Sequence, residues 1–294
     1  MYDLIIIGLG PAGINASIYA KRSNLNTLVI EKNIPGGTLN SIKNVENYLG
    51  YKQITGPELA MEFYKQFKSL NIPMVNEEVL SITSNEKIKT VKTNKNEYQT
   101  KAIIISTGRG PKKLGIANEN LPGISYCVLC DGALYKNKIV AIYGNNPKVL
   151  EETLYLSNLA EKVYLIINNN KLLGSNELIN KITENQNIEI IKNSKIKSIN
   201  GEQKLESITL DDKTIKIDGL FINNEYGPLT YFCKDLNITD ENDYIIVNEK
   251  SETKEKGIFA CGDSTKKEIY QIITAASEGA TAAINAYKYI KEHN

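Results

Sequence analysis

Two cysteines three positions apart are the residues of this sequence best suited to chemistry. Cys127 and Cys130 form a Cys-x-x-Cys pair in the segment SYCVLCDG. In a long chain of cytosolic type, this spacing suggests metal binding or redox chemistry rather than a structural disulfide. A zinc site needs four ligands, and besides the pair the sequence offers only Cys233, Cys261 and His293, without a second Cys-x-x-Cys spacing. Redox use is therefore favoured over a zinc site and over two unreactive thiols.

The remaining cysteines and the histidine are not expected to take part in the chemistry. Cys233 and Cys261 stand alone in the sequence, and we expect both to be small buried side chains. His293 is the only histidine. Chemistry that needs a histidine base, or several histidine ligands for a metal, is therefore not expected, and no metal site is predicted.

A glycine-rich turn near the start of the sequence predicts a dinucleotide site. Gly8, Gly10 and Gly13 form G-x-G-x-x-G in LIIIGLGPAGINASIYA, between an apolar strand and a helix. The first glycine makes the tight turn, the second lets the backbone approach a pyrophosphate, and the third lets helix and strand pack closely. Glu31 ends the next strand eighteen residues after Gly13, where a ribose-binding acid is expected. The turn alone does not distinguish FAD from NAD.

A second strand-turn-helix segment, AIYGNNPKVLEETLYL, lacks two of the three small residues. Gly144 is present, but Asn146 and Val149 occupy the other two glycine positions. Asn146 brings a side chain to the place where backbone should contact a pyrophosphate, and Pro147 removes one N–H from the start of the helix. Asn146 as N-cap and Pro147 at the first helical position nevertheless make a sound helix start. The sequence predicts that this unit keeps its fold and loses its nucleotide.

The two units predict an α/β protein with two Rossmann-like three-layer domains, the second inserted in the first. The turns lie about 135 residues apart, and the chain closes with a helix over about 270–292. Glycine, proline and polar residues gather at Gly108–Pro122 and near Asp243, which suggests hinges there. We expect residues 1–112 and 245–294 to form the first domain, and 113–244 to form the second, degenerate one with the cysteine pair.

The composition is that of an ordinary soluble protein. The 294 residues carry a net charge of +1, which gives no global field favouring nucleic acid or an anionic membrane. Met1 runs directly into a strand-like segment without signal-peptide features, and no apolar run approaches the ~20 residues that span a bilayer. We expect a cytoplasmic protein that binds neither nucleic acid nor membrane.

Several segments resemble the low-molecular-weight thioredoxin reductases over nearly the whole chain: GGTLNSIKNVENYLG, TGPELA, IIISTG and GIFACGDSTKKEIYQIITAASEGATAA. The resemblance implies FAD, a thioredoxin substrate and a homodimer. It implies that Asn47 and Asp263 hold the flavin nucleotide and that Gln271 lies at the isoalloxazine. The family usually has an arginine where this chain has Tyr270. The cofactor-binding residues expected from the turn and the resemblance together are Gly8, Gly10, Pro11, Ala12, Gly13, Glu31, Lys32, Gly37, Thr38, Asn47, Thr107, Gly108, Gly262, Asp263, Gln271 and Ile272.

The same resemblance implies roles for the redox pair. Cys130 faces the flavin, Cys127 exchanges with the disulfide of the protein substrate, and Asp131 protonates the leaving thiolate. The pair is expected to begin a helix, whose dipole favours thiolate. The single histidine fits this arrangement and excludes the His–Glu acid/base pair of glutathione-reductase-type enzymes.

The second turn departs from the family's NADPH-dependent members. Those members follow the next strand with a histidine and two arginines for the 2′-phosphate, where this chain has Ile167, Asn168 and Asn169. Losing two charge-assisted hydrogen bonds costs roughly 1.5–3 kcal/mol each, enough to weaken a micromolar cofactor about a hundredfold or more. A further family glycine is replaced by Glu225, which adds negative charge.

This combination resembles the ferredoxin-dependent flavin thioredoxin reductases. We expect FAD without NAD(P)H, and ferredoxin as electron donor. Acidic ferredoxins favour a basic docking surface, for which the candidates are Lys112, Lys113, Lys266 and Lys267. Two alternatives stay open: an NAD(P)H-dependent reductase with an atypical site, and a flavin-binding sensor that does not turn over.

Overall fold

The structure, a computed structural model, describes residues 1–85, 87–211, 213–223 and 226–293. It divides into two compact units. The first unit joins Met1–Gly110 to Gly227–Asn294, and the second is Pro111–Tyr226. The α/β architecture with one unit inserted in the other is confirmed.

The strands follow the apolar runs of the sequence. They are β1 (Tyr2–Ile7), β2 (Thr27–Glu31), β3 (Met74–Asn76), β4 (Val79–Ser84), β5 (Lys89–Thr93), β6 (Glu97–Ile105), β7 (Arg109–Pro111), β8 (Ile124–Ser125), β9 (Ile139–Tyr143), β10 (Lys162–Ile166), β11 (Ile188–Ile191), β12 (Ser198–Asn200), β13 (Ser207–Thr209), β14 (Thr214–Lys216), β15 (Gly219–Ile222), β16 (Tyr226–Pro228) and β17 (Ile258–Ala260).

The helical segments comprise α-helices and short 3₁₀ turns. They are α1 (Pro11–Arg22), α2 (Gly56–Ser69), α3 (Val128–Asp131), α4 (Pro147–Ser157), α5 (Asn176–Thr183) and α6 (Ile272–Glu292), with 3₁₀ turns at Gly37–Ser41, Gly132–Tyr135, Tyr231–Leu236 and Gly262–Ser264. Proline occupies the first turn of α1, α2 and α4, where its missing N–H costs nothing. No helix within the described ranges combines the length and apolarity that a membrane crossing requires.

The first unit is built on a sheet with strand order β3-β2-β1-β6-β5-β4, to which β17 adds by pairing with β6. Strands β3, β2, β1, β6 and β17 run parallel, whereas β5 pairs antiparallel with β6 and β4 pairs antiparallel with β5. Alternate residues of β1 serve opposite faces: Leu4 and Ile6 pack with α1 and α6, while Ile5 and Ile7 pack with β4, β5 and the 231–236 turn. This central strand is buried on both faces, and it delivers the glycine turn at its carboxyl end.

The second unit repeats the plan around a parallel sheet with order β11-β10-β9-β15-β8. Val140 and Ile142 of β9 pack with α4 on one face. Ala141 and Tyr143 pack on the other face with the antiparallel strands β12-β13-β14. The strand-turn-helix-strand pattern predicted for this unit is therefore present as β9, α4 and β10.

Both domain boundaries differ from the sequence-based expectation. The first lies after Gly110 rather than after residue 112, and the second lies at Gly227 rather than at 245. Residues 227–244 belong to the first unit because Phe232 and Cys233 complete the apolar core beneath β4 and β5. The polar residues near Asp243, interpreted as a hinge, form a turn held by Asp240, whose Oδ1 accepts the backbone N–H groups of residues 242 and 244.

Candidate active site

The three glycines of the first turn are needed for different reasons. A Cβ added at Gly8 would lie 2.6 Å from the Ser106 carbonyl oxygen, and one at Gly13 would lie 2.0 Å from the Gly8 oxygen. Protein packing alone therefore excludes side chains at these two positions. A Cβ added at Gly10 would meet no heavy atom within 4 Å. Protein packing therefore does not account for the glycine at this position, and the space beside it is open to a ligand.

The helix that follows this turn begins without a side-chain cap. Gly10 is the N-cap of α1 in an extended conformation, and it has no side chain to accept the first-turn N–H groups. Pro11 fills the first helical position. Uncapped amides at a helix N-terminus attract anions, phosphates above all. The open space at Gly10 and the uncapped start of α1 together form a phosphate cradle.

Other residues predicted to bind the cofactor lie against this cradle. Gly37 lies beside Gly10, since a Cβ added there would be 3.4 Å from the Gly10 Cα. Gly262 lies close to Ala12, since a Cβ added at Gly262 would be 2.9 Å from the Ala12 Cβ. Thr107 lies beside Gly8. Glu31 reaches back from the end of β2, where its Oε2 accepts the backbone N–H of Leu9 at 2.6 Å.

A second group of predicted residues meets at the start of α6. Gln271 is the N-cap of this helix, and Ile272 is its first residue. The Asn47 amide donates to Gln271 Oε1 at 3.0 Å across a separation of 224 residues. Asp263 is half-buried, and burial raises the pKa of its carboxyl group, against the attraction of the Lys267 and Arg109 charges. The structure therefore brings the predicted residues of the carboxyl-terminal segment and the 45–50 loop together.

The remaining predicted residues are held by protein partners. Lys32 Nζ lies 3.5 Å from Glu78 Oε1 and 5.8 Å from the centre of the Tyr231 ring. Thr38 is exposed in the 37–41 turn. Thr107 Oγ1 donates to the Leu229 carbonyl at 2.8 Å, and the Gly108 carbonyl accepts the Leu229 N–H at 3.0 Å.

Arg109 is a residue of this region that sequence reasoning missed. Its guanidinium carbon lies 4.9 Å from the centre of the Tyr270 ring and 5.7 Å from that of Tyr244. Tyr270 occupies the position where the resembled family has an arginine, so the positive charge near it comes from another segment. The Arg after IIISTG was visible in the sequence, but nothing there indicated its tyrosine partners.

The redox pair lies in the second unit as a disulfide between Cys127 and Cys130. Cys127 is the N-cap of α3, as predicted, and its Sγ accepts the backbone N–H of Cys130 at 3.2 Å. The helix spans only four residues, so a macrodipole contributes little compared with this direct hydrogen bond. A donor aimed at Cys127 Sγ favours the thiolate form of that residue after reduction.

Asp131 is held by a serine that the sequence analysis did not single out. Ser125 Oγ donates to Asp131 Oδ2 at 2.7 Å, and the Cys127 N–H donates to Ser125 Oγ at 3.0 Å. One hydroxyl group therefore connects the predicted acid to the backbone of a redox cysteine.

The second glycine turn is closed by its own side chains. Asn146 is the N-cap of α4, and its Oδ1 accepts the Val149 N–H at 3.0 Å, so the predicted helix start is confirmed. Val149 is fully buried. Because no Cβ fits at the corresponding Gly13, α4 must lie further from its turn than α1 does. The amide that would meet a phosphate is thus already occupied.

The loop after β10 is fastened to the same turn. Asn145 is buried, and its amide donates to Asn169 Oδ1 and to the Lys171 carbonyl, the latter at 2.8 Å. Its Oδ1 accepts the Leu173 N–H at 2.9 Å. Asn168 is exposed. The segment predicted to have lost its 2′-phosphate ligands is therefore ordered by hydrogen bonds within the protein.

A buried carboxyl group also belongs to α4. Glu152 Oε2 accepts the side-chain N–H of Asn223 at 2.9 Å, and burial raises the pKa of Glu152, opposed in part by Asn223 and Lys148. Asn223 follows β15, and its carbonyl lies next to Gly144. Glu225, predicted to oppose a phosphate, lies outside the described residues.

Two further expectations concern cysteines and lysines. Cys233 and Cys261 are fully buried, as predicted, and burial raises the pKa of Cys233 to about 12. Lys266 is exposed and lies 3.2 Å from Asp240 Oδ2. Lys267 is paired with Glu278, and 12% of its side chain is exposed, so it offers less of its charge to a docking partner than Lys266 does.

A Rossmann-type unit interrupted by a second α/β unit with a Cys-x-x-Cys disulfide defines a two-domain disulfide oxidoreductase. The chain belongs to the pyridine nucleotide-disulphide oxidoreductase family, whose family model matches residues 2–279. It is 38% identical to a thioredoxin reductase of Ureaplasma parvum, over 100% of this chain and 98% of that protein.

Solved structures agree with this family. The chain is similar to Lactococcus lactis thioredoxin reductase, with 35% identity and a TM-score of 0.69 over 99% of this chain and 100% of that one. It is also similar to a ferredoxin-flavin thioredoxin reductase from Clostridium acetobutylicum, with 32% identity and a TM-score of 0.62 over 99% and 98%.

Proposed function

We propose that this protein is an FAD enzyme that reduces the disulfide of thioredoxin with electrons from reduced ferredoxin. Thioredoxin as substrate is supported by the names of the relatives, and ferredoxin as donor by one of the similar structures. A homodimer is proposed from the resemblance to the low-molecular-weight thioredoxin reductases.

The fit of FAD to the first unit is supported by the cradle at Gly10. The pyrophosphate would lie over Gly10 against the uncapped amides of α1, and Glu31 would take the ribose hydroxyls. Asn47, Asp263 and Gln271 would hold the flavin nucleotide. When bound, FAD supplies a redox group that accepts electrons singly and passes them in pairs to a disulfide.

The protein's own residues carry the exchange with the substrate. In the reduced pair, the Cys127 thiolate attacks one sulfur of the thioredoxin disulfide and releases the other as a thiolate, which Asp131 protonates. Cys130 then attacks Cys127 Sγ in the mixed disulfide, and the second thioredoxin sulfur leaves and takes up the proton of the Cys130 thiol. Thioredoxin leaves with two thiols, and the Cys127–Cys130 disulfide bond forms again. The Cys130 N–H aimed at Cys127 Sγ supports Cys127 as the attacking residue.

One observation carries the choice of donor. Within one chain, α1 presents an uncapped N-terminus beside open space at Gly10, whereas α4 has its N-terminal amide bonded to the Asn146 side chain. A pyridine nucleotide would have to displace this cap. The Asn145 bonds that fasten the loop after β10 would also oppose the change. The proposal therefore has electrons entering from a protein.

An acidic ferredoxin would require basic residues at its docking surface. Lys112, Lys113 and Lys266 remain the candidates. Lys113 Nζ donates to Asn120 Oδ1 at 3.2 Å and Lys266 forms an ion pair with Asp240, so a docking partner would compete with these contacts.

The second candidate function is an NAD(P)H-dependent thioredoxin reductase with an atypical site. The family description, which names a pyridine nucleotide, favours this candidate. The third possibility, a flavin-binding sensor, predicts that the cysteine pair never exchanges with a protein substrate.

A single-turnover experiment tests the reductase proposal without any donor. The purified flavoprotein is reduced anaerobically with one equivalent of dithionite and mixed with oxidised thioredoxin. We expect the flavin absorbance to return as thioredoxin thiols form. Cys127→Ser and Cys130→Ser should abolish thiol formation, and Cys233→Ser, which alters a buried thiol outside the pair, is the matched control. No thiol formation with the wild-type protein would favour the sensor.

A further inference from the structure

We propose that Ser125 is a positioning residue that keeps Asp131 directed at the redox pair whether the acid carries its proton or not. The inference rests on the proposed function for its catalytic consequence. Its geometric basis lies within the short segment from β8 to α3.

The Ser125 hydroxyl lies between the acid and the backbone of Cys127. It is 2.7 Å from Asp131 Oδ2, 3.0 Å from the Cys127 nitrogen and 3.2 Å from the Cys127 carbonyl oxygen. Only 5% of Ser125 is exposed. Among the described residues, Ser125 is the side chain to which the structure hydrogen-bonds the Asp131 carboxylate. The hydroxyl is thus sheltered from solvent and fixed by a backbone donor.

A hydroxyl group has one hydrogen to donate and two lone pairs to accept. The Cys127 N–H uses one lone pair in both states. While Asp131 is ionised, the Ser125 hydrogen points to Oδ2, the shorter of its two possible contacts. When Asp131 is protonated, its O–H can donate to the second lone pair, and the Ser125 hydrogen can turn to the Cys127 carbonyl. The acid therefore keeps its partner and its position through both states.

This arrangement matters at the moment when a thiolate leaves. Asp131 gives its proton to the leaving sulfur and becomes a carboxylate, and Ser125 then donates to the new charge without moving its oxygen. A charge-assisted hydrogen bond of this kind stabilises the charge that forms on Asp131 during the transfer. Removing the hydroxyl should therefore slow the transfer and loosen the position of Asp131.

The test uses three variants of the holoenzyme. Ser125→Ala removes the hydroxyl, and Ser125→Thr retains it on a strand where threonine is favoured. Ser194→Ala is the matched control, because Ser194 is buried to a similar extent, 7% exposed, and its hydroxyl group donates to the backbone carbonyl of Lys192. The chemical shift of the Asp131 carboxyl carbon is measured by ¹³C NMR at pH 7, and the kcat and KM of thioredoxin reduction are measured at the same pH.

We expect Ser125→Ala to change the chemical shift of the Asp131 carboxyl carbon at pH 7, because the carboxyl group has lost its hydrogen-bond partner. Its kcat for thioredoxin reduction at pH 7 should fall about tenfold, the effect of one charge-assisted hydrogen bond, with KM unchanged. Ser125→Thr should restore both values, and Ser194→Ala should change neither.

The proposal is overturned if Ser125→Ala leaves the chemical shift of the Asp131 carboxyl carbon and kcat unchanged, or if Ser125→Thr behaves like the alanine variant. The NMR measurement needs no turnover. If the wild-type protein reduces no thioredoxin, the proposed function fails, and the chemical shift still decides whether Ser125 holds Asp131.

Discussion

Replacing Gly10 with valine should remove FAD without unfolding the protein. Gly10 has φ −78° and ψ −172°, a conformation open to any L-residue. An added Cβ would meet no heavy atom within 4 Å. The free energy of unfolding of the cofactor-free protein should therefore change by no more than about 1 kcal/mol.

The loss of cofactor affinity should be far larger. A valine side chain would fill the space over the first-turn amides and keep a pyrophosphate from reaching them. Each hydrogen bond to a charged group contributes roughly 1.5–3 kcal/mol, so losing two removes about 3–6 kcal/mol. The dissociation constant of FAD should rise by roughly two to four orders of magnitude. The purified variant should be colourless.

Two measurements on cofactor-free protein separate these effects. FAD binding is followed by flavin fluorescence, and stability by urea unfolding without FAD, because bound FAD would itself stabilise the folded state. Gly13→Ala is the contrasting variant: its Cβ would lie 2.0 Å from the Gly8 oxygen, so it should lose stability by about 1–3 kcal/mol or more. If Gly10→Val protein binds FAD with a dissociation constant within about threefold of wild type, the pyrophosphate does not lie over Gly10.

Three further outcomes are expected. Under the proposed roles, Cys127→Ser should show a long-wavelength absorbance band from the Cys130 thiolate and bound FAD, whereas Cys130→Ser should not; a band that depends on Cys127 would reverse those roles. Asn146→Ala should lower the free energy of unfolding by about 1 kcal/mol through loss of the α4 cap, and an unchanged urea midpoint would contradict the capping role. Burial raises the pKa of Glu152 above its ordinary value of 4.5. Between the unfolded-state pKa and this raised folded-state pKa, the folded protein binds more protons than the unfolded protein, so the free energy of unfolding falls as pH rises through that range. Glu152→Gln should remove this loss, so its stability relative to wild type should increase with pH; a constant difference from pH 4 to 8 would contradict it.

The sequence predicted the parts of the fold that depend on local pattern. The apolar run of β1, the turn at Gly8 and the start of α4 at Asn146 and Pro147 all follow from short segments, because strand period, glycine sterics and capping are local effects. The start of α2 at Gly56 depends on a local signal as well, since Thr55 and Glu58 form a capping box. That signal, Thr-x-x-Glu, was available in the sequence.

Features that depend on the tertiary fold were not predictable in this way. Phe232 and Cys233 belong to the first unit because of the sheet face that they cover, and their local sequence does not indicate which sheet that is. The bond between Asn145 and Asn169 joins residues 24 positions apart. Ser125 reaches Asp131 only because α3 turns the chain back after Cys127. Ordinary polar residues become site residues here through packing that no short motif encodes.

Electrons are proposed to reach this enzyme from a protein and not from a pyridine nucleotide. The donor is tested by anaerobic reduction of the purified flavoprotein with NADH, NADPH and reduced ferredoxin in parallel, followed by flavin absorbance. We predict that ferredoxin bleaches the flavin and supports repeated reduction of thioredoxin, while both nucleotides leave the spectrum unchanged. Bleaching by NADPH, with steady thioredoxin turnover at rates no lower than with ferredoxin, would contradict the account.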